Sequence, residues 1–390
     1  MGNYCGKLFA ELGADVVLVE PLDGSPSRRL PPFAGDEPGV ENSLTFFAHN
    51  TSKRGVQLNL DTARGQEILR ELAADADLVI ETESPGTMRE RGLDHASLGA
   101  KNPALVTTSI TAFGQTGPYA DYPADDLTCL AMGGLLQLAG YADGPPVRPA
   151  DDQAYAVANL FAAVSSMLAV TGAELTGRGQ HVDVSVQECV TMALENAVQF
   201  YDLEGVVRRR HAGQQRSAGY GVFPCADGYI YLIGAGIGGN RFWRNLVAWL
   251  TAEQVDGVEQ LGGDEWDARE FVESEAAKST FAAVFEPYAR ARTKAHLYEE
   301  AQRWRVPLCP VSSPAEVVRN RQLAYREFFV SIPAFGRSGV QVPGAPYVLS
   351  ETPWRLRGLA PSLGQHTDEV LSAAGYADEL SALRVEGVIE

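Results

Sequence analysis

The sequence predicts an α/β fold in which an open parallel, Rossmann-like sheet forms a large domain and a smaller α+β domain follows. Residues 1–185 alternate short apolar runs with amphipathic stretches, as expected for parallel strands covered by helices. From about Gly219 the pattern changes to two alternating runs joined by a tight turn, which is typical of an antiparallel hairpin. The 390 residues, of which 45% are apolar, suffice for two domains with separate cores.

The first predicted elements are a helix and a buried strand that follows it directly. Leu8, Phe9 and Leu12 recur at helical spacing, and Val16 to Val19 is a continuous apolar run. Because this helix begins at the first residues, we expect a further strand to be encoded upstream of Met1.

The large domain continues with two more strands and two helices. Thr62–Ala74 is predicted to be a helix that precedes a strand at Leu78–Ile80. Leu105–Ile110 is rich in β-branched residues and is predicted to be the next strand. Ala154–Val170 is Ala-rich and, at about 17 residues, too long for a strand, so we interpret it as a buried helix.

The smaller domain is predicted to begin with a hairpin whose turn contains Ala226-Asp227-Gly228. Helices are predicted at Arg241–Leu250 and Ala291–Trp304, and a helix-rich tail begins at Leu363. No repeat or low-complexity linker separates the two parts of the chain, so we expect the domains to pack together.

Composition excludes several classes of function. The chain has 32 basic and 50 acidic residues, and the net charge of -18 argues against a nucleic-acid or anionic-membrane partner. The five cysteines are scattered without CxxC spacing, which favours a reducing cytoplasm over a disulfide framework or a zinc site. We find no apolar run of about 18 residues and no leader peptide, and we therefore expect no membrane segment.

One dinucleotide-binding motif requires an alternative interpretation. The segment Gly234 to Gly239 fits GxGxxG and lies between a predicted strand and a predicted helix. A complete fingerprint needs a second parallel strand that ends in an acidic residue about 20 positions later, and no such strand is predicted. A loop in the small domain is the favoured interpretation, and an NAD-dependent oxidoreductase is the last of the alternatives.

The absence of histidine and serine motifs leaves carboxylates as the candidate chemical groups. None of the six histidines pairs with another at i+3 or i+4, and neither HExxH nor GxSxG occurs, so no metal site and no serine-hydrolase elbow is predicted. Two acidic pairs stand out, Asp125-Asp126 and Asp151-Asp152. Either pair is explained by helix capping or by a nucleophilic carboxylate at a thioester, and both interpretations remain open.

A series of segments along nearly the whole chain resembles one family. They include YCGKLFAELGADVVLVE, ADLVIETESPGTMRERGLD, TAFGQTGPYADYPADDL, TGRGQHVDVSV, YGVFPCADGYIYL and SLGQHTDEVL. In this order and spacing they resemble the family III CoA-transferases (the CaiB/BaiF family), which include formyl-CoA transferase and carnitine CoA-transferase. The resemblance implies a large domain from residues 1–190 and 335–390, a small domain from 215–330, a tail packed on the large domain, and an interlocked dimer.

The resemblance also implies a mechanism. In that family an aspartate attacks an acyl-CoA thioester to form a mixed anhydride, and the enzyme then passes CoA to a carboxylic acid without a metal or a tightly bound cofactor. The aspartate follows the segment that matches Pro145-Pro146-Val147-Arg148, and its position falls on Tyr155. Either Asp152, Asp151 or Asp126 replaces it, or the chain is a non-catalytic subunit or CoA-binding homologue that acts beside a paralogue.

Positions that contact CoA in the family also differ in this chain. The expected lysine matches Asp61, and the expected asparagine-aromatic pair before the Pro-Gly turn matches Thr82-Glu83. The remaining candidates for binding CoA are Arg28, Arg29, Leu58, Thr62, Arg64, Arg89 and Arg91.

Racemases of 2-methylacyl-CoA share the fold implied by the resemblance. Their His-Asp dipeptide matches Asp125-Asp126, and their second catalytic aspartate matches Tyr155. Both partners of the acid-base pair therefore differ here, which makes racemization a minor alternative.

Overall fold

The computed structural model describes residues 1–235 and 241–390, which form two compact units. Unit 1 contains residues 1–137, 148–207 and 322–390, and unit 2 contains residues 138–147 and 208–321. Unit 2 therefore includes a ten-residue segment from the middle of the large domain, which the division made from sequence did not anticipate.

Between Met1 and Val207, unit 1 contains five strands and nine α-helices. The strands are β1 (Val17–Glu20), β2 (Arg54–Gln57), β3 (Leu78–Glu81), β4 (Val106–Thr111) and β5 (His181–Ser185). The helices are α1 (Asn3–Leu12), α2 (Leu44–Asn50), α3 (Ala63–Ala74), α4 (Thr87–Glu90), α5 (His95–Gly99), α6 (Asp126–Met132), α7 (Gln153–Thr176), α8 (Val186–Met192) and α9 (Ala197–Glu204).

All pairs among these five strands are parallel. β1 pairs with β2, while β3, β4 and β5 form a separate sheet in that order. The connections between them contain helices, as parallel pairing requires. The predicted α/β fold with a parallel sheet is confirmed.

The longest helix, α7, lies against the sheet through a stripe of small residues. Ala158, Ala162, Ser166 and Ala169 are buried and recur every three or four positions, which places them on one helix face. The Ser166 hydroxyl lies 2.6 Å from that of Thr108 on β4. Because side chains of a strand alternate between its two faces, every second residue of β4 points toward α7, and this packing places β4 in the core.

The opposite face of α7 is apolar and exposed. Leu160, Val164, Leu168 and Leu175 are 48%, 63%, 69% and 83% exposed. At 24 residues, α7 is longer than predicted, and by length and composition alone it could cross a membrane, contrary to the expectation from sequence. Core helices of soluble proteins pass the same test, so this finding is weak evidence for a membrane span.

Unit 2 begins with the predicted hairpin and continues as a helical layer. Its elements are β6 (Tyr220–Cys225), β7 (Gly228–Ile233), α10 (Arg241–Ala252), α11 (Arg269–Val272), α12 (Glu275–Arg290), α13 (Lys294–Trp304), β8 (Leu308–Pro310) and α14 (Pro314–Val318). β7 lies between β6 and β8 and is antiparallel to both. Stacked Trp243 and Trp266, with ring centroids 4.5 Å apart, contribute to a large aromatic core.

The last part of the chain completes unit 1. It contains α15 (Arg321–Tyr325), the antiparallel strands β9 (Phe329–Ala334) and β10 (Arg337–Pro343), α16 (Thr367–Leu371), a π-helical turn (Ser372–Tyr376) and α17 (Leu380–Val385). His366 Nδ1 and Thr367 Oγ1 each accept a hydrogen bond of 3.1 Å, from the amides of Gly55 and Gln57 respectively. The tail thus packs on β2, as the resemblance implies.

Candidate functional site

Tyr155, which matches the nucleophile position of the family, is the third residue of α7. Its half-buried side chain packs against a core cluster that includes Cys129 and Ala154. Burial, with the nearby Cys129 and Asp126 adding to it, raises the pKa of the phenol to about 12. The hydroxyl is therefore protonated at neutral pH.

Asp126, on α6, caps the N-terminus of α7. Its Oδ1 accepts a hydrogen bond of 3.0 Å from the amide of Tyr155, whereas Asp152, at the N-cap position of α7, makes no side-chain capping bond. A helix of this length presents free amides and positive dipole charge at its N-terminus, and Asp126 supplies the acceptor from a neighbouring helix. Within residues 1–235 and 241–390, Oδ2 has no hydrogen-bond partner, and burial raises the pKa of this carboxyl group.

Asp125 has a local capping role. It accepts hydrogen bonds from the amide and the hydroxyl of Thr128, at 2.8 and 2.7 Å, and thereby caps α6. These bonds lower its pKa. Both members of the first acidic pair thus make capping hydrogen bonds, Asp125 to α6 and Asp126 to α7.

The second acidic pair lies in the turn before α7. Asp151 is exposed and has a φ of 59°, in the left-handed region. Asp152 accepts a hydrogen bond of 3.0 Å from Arg148 Nη2, with both side chains close to half exposed. Neither carboxylate is desolvated, and desolvation is what the nucleophile interpretation required.

Asn159 links the first turns of α7 and α1, and sequence reasoning did not identify it. Its Nδ2 donates to the carbonyl of Tyr155 at 2.6 Å, and its Oδ1 accepts from the amide of Cys5 at 2.8 Å. Cys5 is the third residue of α1, whose N-cap Gly2 offers no side chain. An amide side chain inside an Ala-rich apolar helix could have indicated that Asn159 has a buried hydrogen-bond partner, but not which one.

A buried lysine adjoins the same region. Lys53 Nζ donates to the carbonyl of Asn3 at 2.6 Å and to Oδ1 of Asn50 at 2.7 Å. The residue is only 5% exposed, and burial lowers its pKa to about 7. Sequence analysis also missed this group, because a lysine beside an arginine normally indicates a solvated surface.

Arg28 does not fit the predicted role at a CoA phosphate. Its side chain is fully buried, forms a two-pronged pair with Glu20 and donates to the carbonyls of Val40 and Pro361. The guanidinium also lies 3.8 Å from the ring centroid of Phe46. Because all its donors face protein groups, Arg28 holds the loop after β1 rather than a ligand.

The other candidates for CoA binding are dispersed over unit 1. Arg29 pairs with Asp23, Arg64 with Glu67 and Glu379, and Arg91 with Asp61 and Glu83. Arg89 is exposed, Leu58 is 1% exposed with its amide bonded to Glu20, and Thr62 caps α3.

Arg91 is notable because it pairs with two of the positions that differ from the family pattern. Asp61 Oδ1 lies 2.7 Å from its Nη2 and Glu83 Oε2 lies 3.7 Å from its Nη1. Acidic groups thus flank Arg91 at the end of α4, and they reduce its attraction for a polyphosphate.

Neither the metal nor the dinucleotide alternative gains support from the described residues. Among them, no group of three or more histidine, cysteine and acidic side chains could hold a metal. Of the GxGxxG segment, residues 236–239 lie outside the described part of the chain. The preceding strand, β7, has only antiparallel neighbours, so the parallel βαβ context of a dinucleotide site is missing there.

Comparison with known proteins gives a consistent result. The family model for CoA-transferase family III matches residues 1–367. The succinyl-CoA:(R)-benzylsuccinate CoA-transferase subunit BbsE of Thauera aromatica is 44% identical over 381 residues, covering 96% of this chain and 92% of that protein. The succinyl-CoA--L-malate CoA-transferase beta subunit of Chloroflexus aurantiacus is 30% identical, covering 99% and 94%. A crystal structure of a CaiB/BaiF family protein from Brucella suis matches with a TM-score of 0.83 and 26% identity, covering 95% of each chain.

Proposed function

This chain belongs to CoA-transferase family III, and we propose that it is the subunit of a heteromeric CoA-transferase that does not supply the nucleophile. The enzyme class is transferase, with a CoA thioester and a carboxylic acid as substrates. In this proposal the two subunits have different roles. A paralogous subunit provides the attacking carboxylate, and this chain binds the paralogue in the assembled enzyme.

The proposal rests on the side chains present in the first turn of α7. A phenol whose pKa is raised to about 12 stands where the family has its aspartate, and it cannot form a mixed anhydride. The carboxylates nearby are engaged otherwise: Asp126 with the amide of Tyr155, and Asp152 with Arg148. The site thus retains the geometry of a helix N-terminus. Its buried carboxyl group, Asp126, acts as the cap through Oδ1, and only its Oδ2 has no hydrogen-bond partner among the described residues.

The surface of unit 1 supports an assembled state. Besides the apolar face of α7, the helix α9 also carries exposed apolar residues, among them Tyr201 and Leu203, which are 63% and 81% exposed. A row of large exposed apolar residues such as that on α7 marks an interface. Two relatives are named as subunits, BbsE and the malate transferase beta subunit, which favours a paralogue as the occupant over a second copy. We propose the interlocked arrangement implied by the resemblance.

For substrates we propose succinyl-CoA as donor and an aromatic derivative of succinate as acceptor. This rests on the 44% identity to a subunit named for succinyl-CoA and (R)-benzylsuccinate. Within this chain, Arg29, Thr62, Arg64, Arg89 and Arg91 remain the proposed contacts for CoA, and the exposed Arg89 is the first to test.

The test compares the chain alone with the chain co-expressed with its paralogue. Each sample is incubated with succinyl-CoA and (R)-benzylsuccinate, and a second aliquot receives hydroxylamine, which converts an acyl anhydride on a carboxylate to a hydroxamate detectable by mass spectrometry. We expect transfer only by the co-expressed pair, with the hydroxamate on an aspartate of the paralogue.

Modification of Asp152, Asp151 or Asp126 in the chain alone would overturn the proposal, because this chain would then be catalytic by itself. As a matched control, Asp152→Asn in the pair should leave the rate unchanged, since its carboxylate is paired in solvent with Arg148.

A further inference from the structure

Unit 2 contains a polar groove that no part of the proposed function uses. It lies between the loop at 211–215, strand β6 and one face of α12, and has a volume of about 510 Å³. That volume is within the range of small-molecule sites. Its lining residues are His211, Gln214, Gln215, Val222, Phe223, Glu275, Lys278, Ser279, Ala282 and Glu286.

One end of the groove is electropositive although the chain has a net charge of -18. Partial burial of its ring lowers the pKa of His211, and the positive charges of Arg216, Lys278 and Arg208 lower it further. On α12 the acidic groups facing the groove are Glu275 and Glu286. Glu286 lies two turns beyond Lys278 and pairs with Arg290 at 3.1 Å.

Lys278 is available to a competing anion. Its Nζ lies 2.9 Å from Glu275 Oε1, and the Glu275 side chain is 89% exposed. The Lys278 side chain is itself 18% exposed, so only the Glu275 end of the pair lies in solvent, and a ligand oxygen can take the place of this carboxylate beside the ammonium group. Gln214 and Ser279, both exposed beside it, offer further donors.

The wall of the groove is rigid. Gln215 Nε2 donates to the carbonyl of Lys278 at 3.1 Å, and Gln215 Oε1 accepts from the amide of Gly219 at 2.9 Å. This side-chain amide ties the loop that carries His211 to the helix that carries Lys278, and both residues line the same groove.

We propose that this groove binds a small carboxylate or phosphate dianion between His211 and Lys278. Anionic oxygens accept hydrogen bonds from the ammonium and the imidazolium, while Arg208 and Arg216 raise the local anion concentration. The site is independent of α7 and of the nucleophile question, because all the residues that form it belong to unit 2.

Calorimetric titration of the full chain with inorganic phosphate and, separately, with succinate tests the proposal between pH 5.5 and 8. We expect a dissociation constant of about 1 mM for at least one probe. After correction for protonation of the probe itself, affinity for the dianion should rise toward the acid end of this range, because anion binding favours protonated His211, whose pKa is lowered. Lys278→Met should weaken binding about tenfold, and His211→Gln should remove the pH dependence.

The matched control is Arg269→Gln, which removes one positive charge from the surface of unit 2, where Arg269 pairs with Glu273. Binding of phosphate alone, succinate alone or both supports the site and identifies the preferred anion. The proposal is overturned if neither probe binds wild type, or if binding survives unchanged in both groove variants. It is also overturned if Arg269→Gln weakens binding as much as Lys278→Met.

Discussion

At the scale of single residues, the side chain at position 155 does not determine the backbone contacts around it. The backbone amide of Tyr155 donates to Asp126 Oδ1 at 3.0 Å, and the backbone carbonyl of Tyr155 accepts from Asn159 Nδ2 at 2.6 Å. Neither hydrogen bond involves the Tyr155 side chain. A different side chain at 155 therefore inherits the same geometry.

We expect Tyr155→Asp to gain acyl-CoA chemistry in the chain alone. The new carboxylate stands in the first turn of α7, where the helix dipole favours its ionised form. Thioester hydrolysis, or transfer of CoA, should exceed that of Tyr155→Asn at least tenfold, and hydroxylamine should trap residue 155.

Tyr155→Asn is the control for this change because it matches the aspartate in size and cannot form an anhydride. A folded Tyr155→Asp protein with no activity above the control would mean that more than the nucleophile is missing. Activity of wild type at about 1 per second or more, reduced by the substitution, would contradict the proposed role directly.

Lys53 makes stability depend on pH in a predictable direction. Its pKa is about 7 in the folded chain and about 10.4 when unfolded, so between these values the unfolded state binds more protons and stability rises with pH. Lys53→Met abolishes this contribution. The difference in unfolding free energy between wild type and variant should grow in favour of wild type by up to about 1.4 kcal/mol per pH unit.

Chemical denaturation at pH 7, 8 and 9 measures this difference directly. Groups distant from Lys53 titrate equally in both proteins and cancel in the comparison. The Cys5 thiol, with its pKa raised to about 12, interacts with Lys53, so both proteins are compared in a Cys5→Ala background. A difference that is constant across this range would show that Lys53 stays charged in its buried site.

The residues of the site differ in how far sequence reveals them. Asp125 could be identified as a cap because it stands before a helix that begins next to it. The capping role of Asp126 could not, because its partner is the amide of Tyr155, 29 positions away and on another helix. Asn159 joins elements 154 positions apart, and no local pattern carries such a pairing.

At the scale of elements, local chemistry fixed the boundaries that sequence predicted well. Thr62 accepts from the amide of Gly65 and starts α3, one residue from the predicted start. The predicted helix at Ala291 instead begins at Lys294, because Thr293 accepts from the amide of His296 and acts as the cap. Side-chain acceptors at helix starts are therefore the most reliable signals in this chain.

Other elements have no strong local signal. α12 was not predicted, although it is 16 residues long and buries Phe281 and Phe285 in the aromatic core of unit 2. Its Pro287 near the end and its alternation of alanine and charged residues weaken the apolar periodicity. β2 and β5 are short, and each is specified by parallel pairing with a strand distant in sequence.

At the scale of the whole molecule, the exposed apolar face of α7 makes assembly the most informative property to measure. Its residues are hydrophobic, Leu168 being 69% exposed, whereas the same helix buries only small side chains against β4. A helix with large apolar groups on its solvent side is explained when a second chain covers it. The net charge of -18 per chain adds mutual repulsion between identical copies, which favours a differently charged paralogue.

We expect Leu168→Glu to impair this assembly. In complex with its paralogue, wild type should show by light scattering a mass at least twice the 42.0 kDa of the chain, and the variant should lose this species or form it in much lower yield. The reason is that an introduced carboxylate would be buried without a partner, which costs several kcal/mol.

Val385→Glu is the matched control, because Val385 is an apolar residue of unit 1 that is 90% exposed on α17. In the interlocked arrangement that we propose, chains separate only by unfolding, so the melting temperature of Leu168→Glu should fall together with its mass. A variant with the mass and melting temperature of wild type would place the interface elsewhere and leave the face of α7 without a partner.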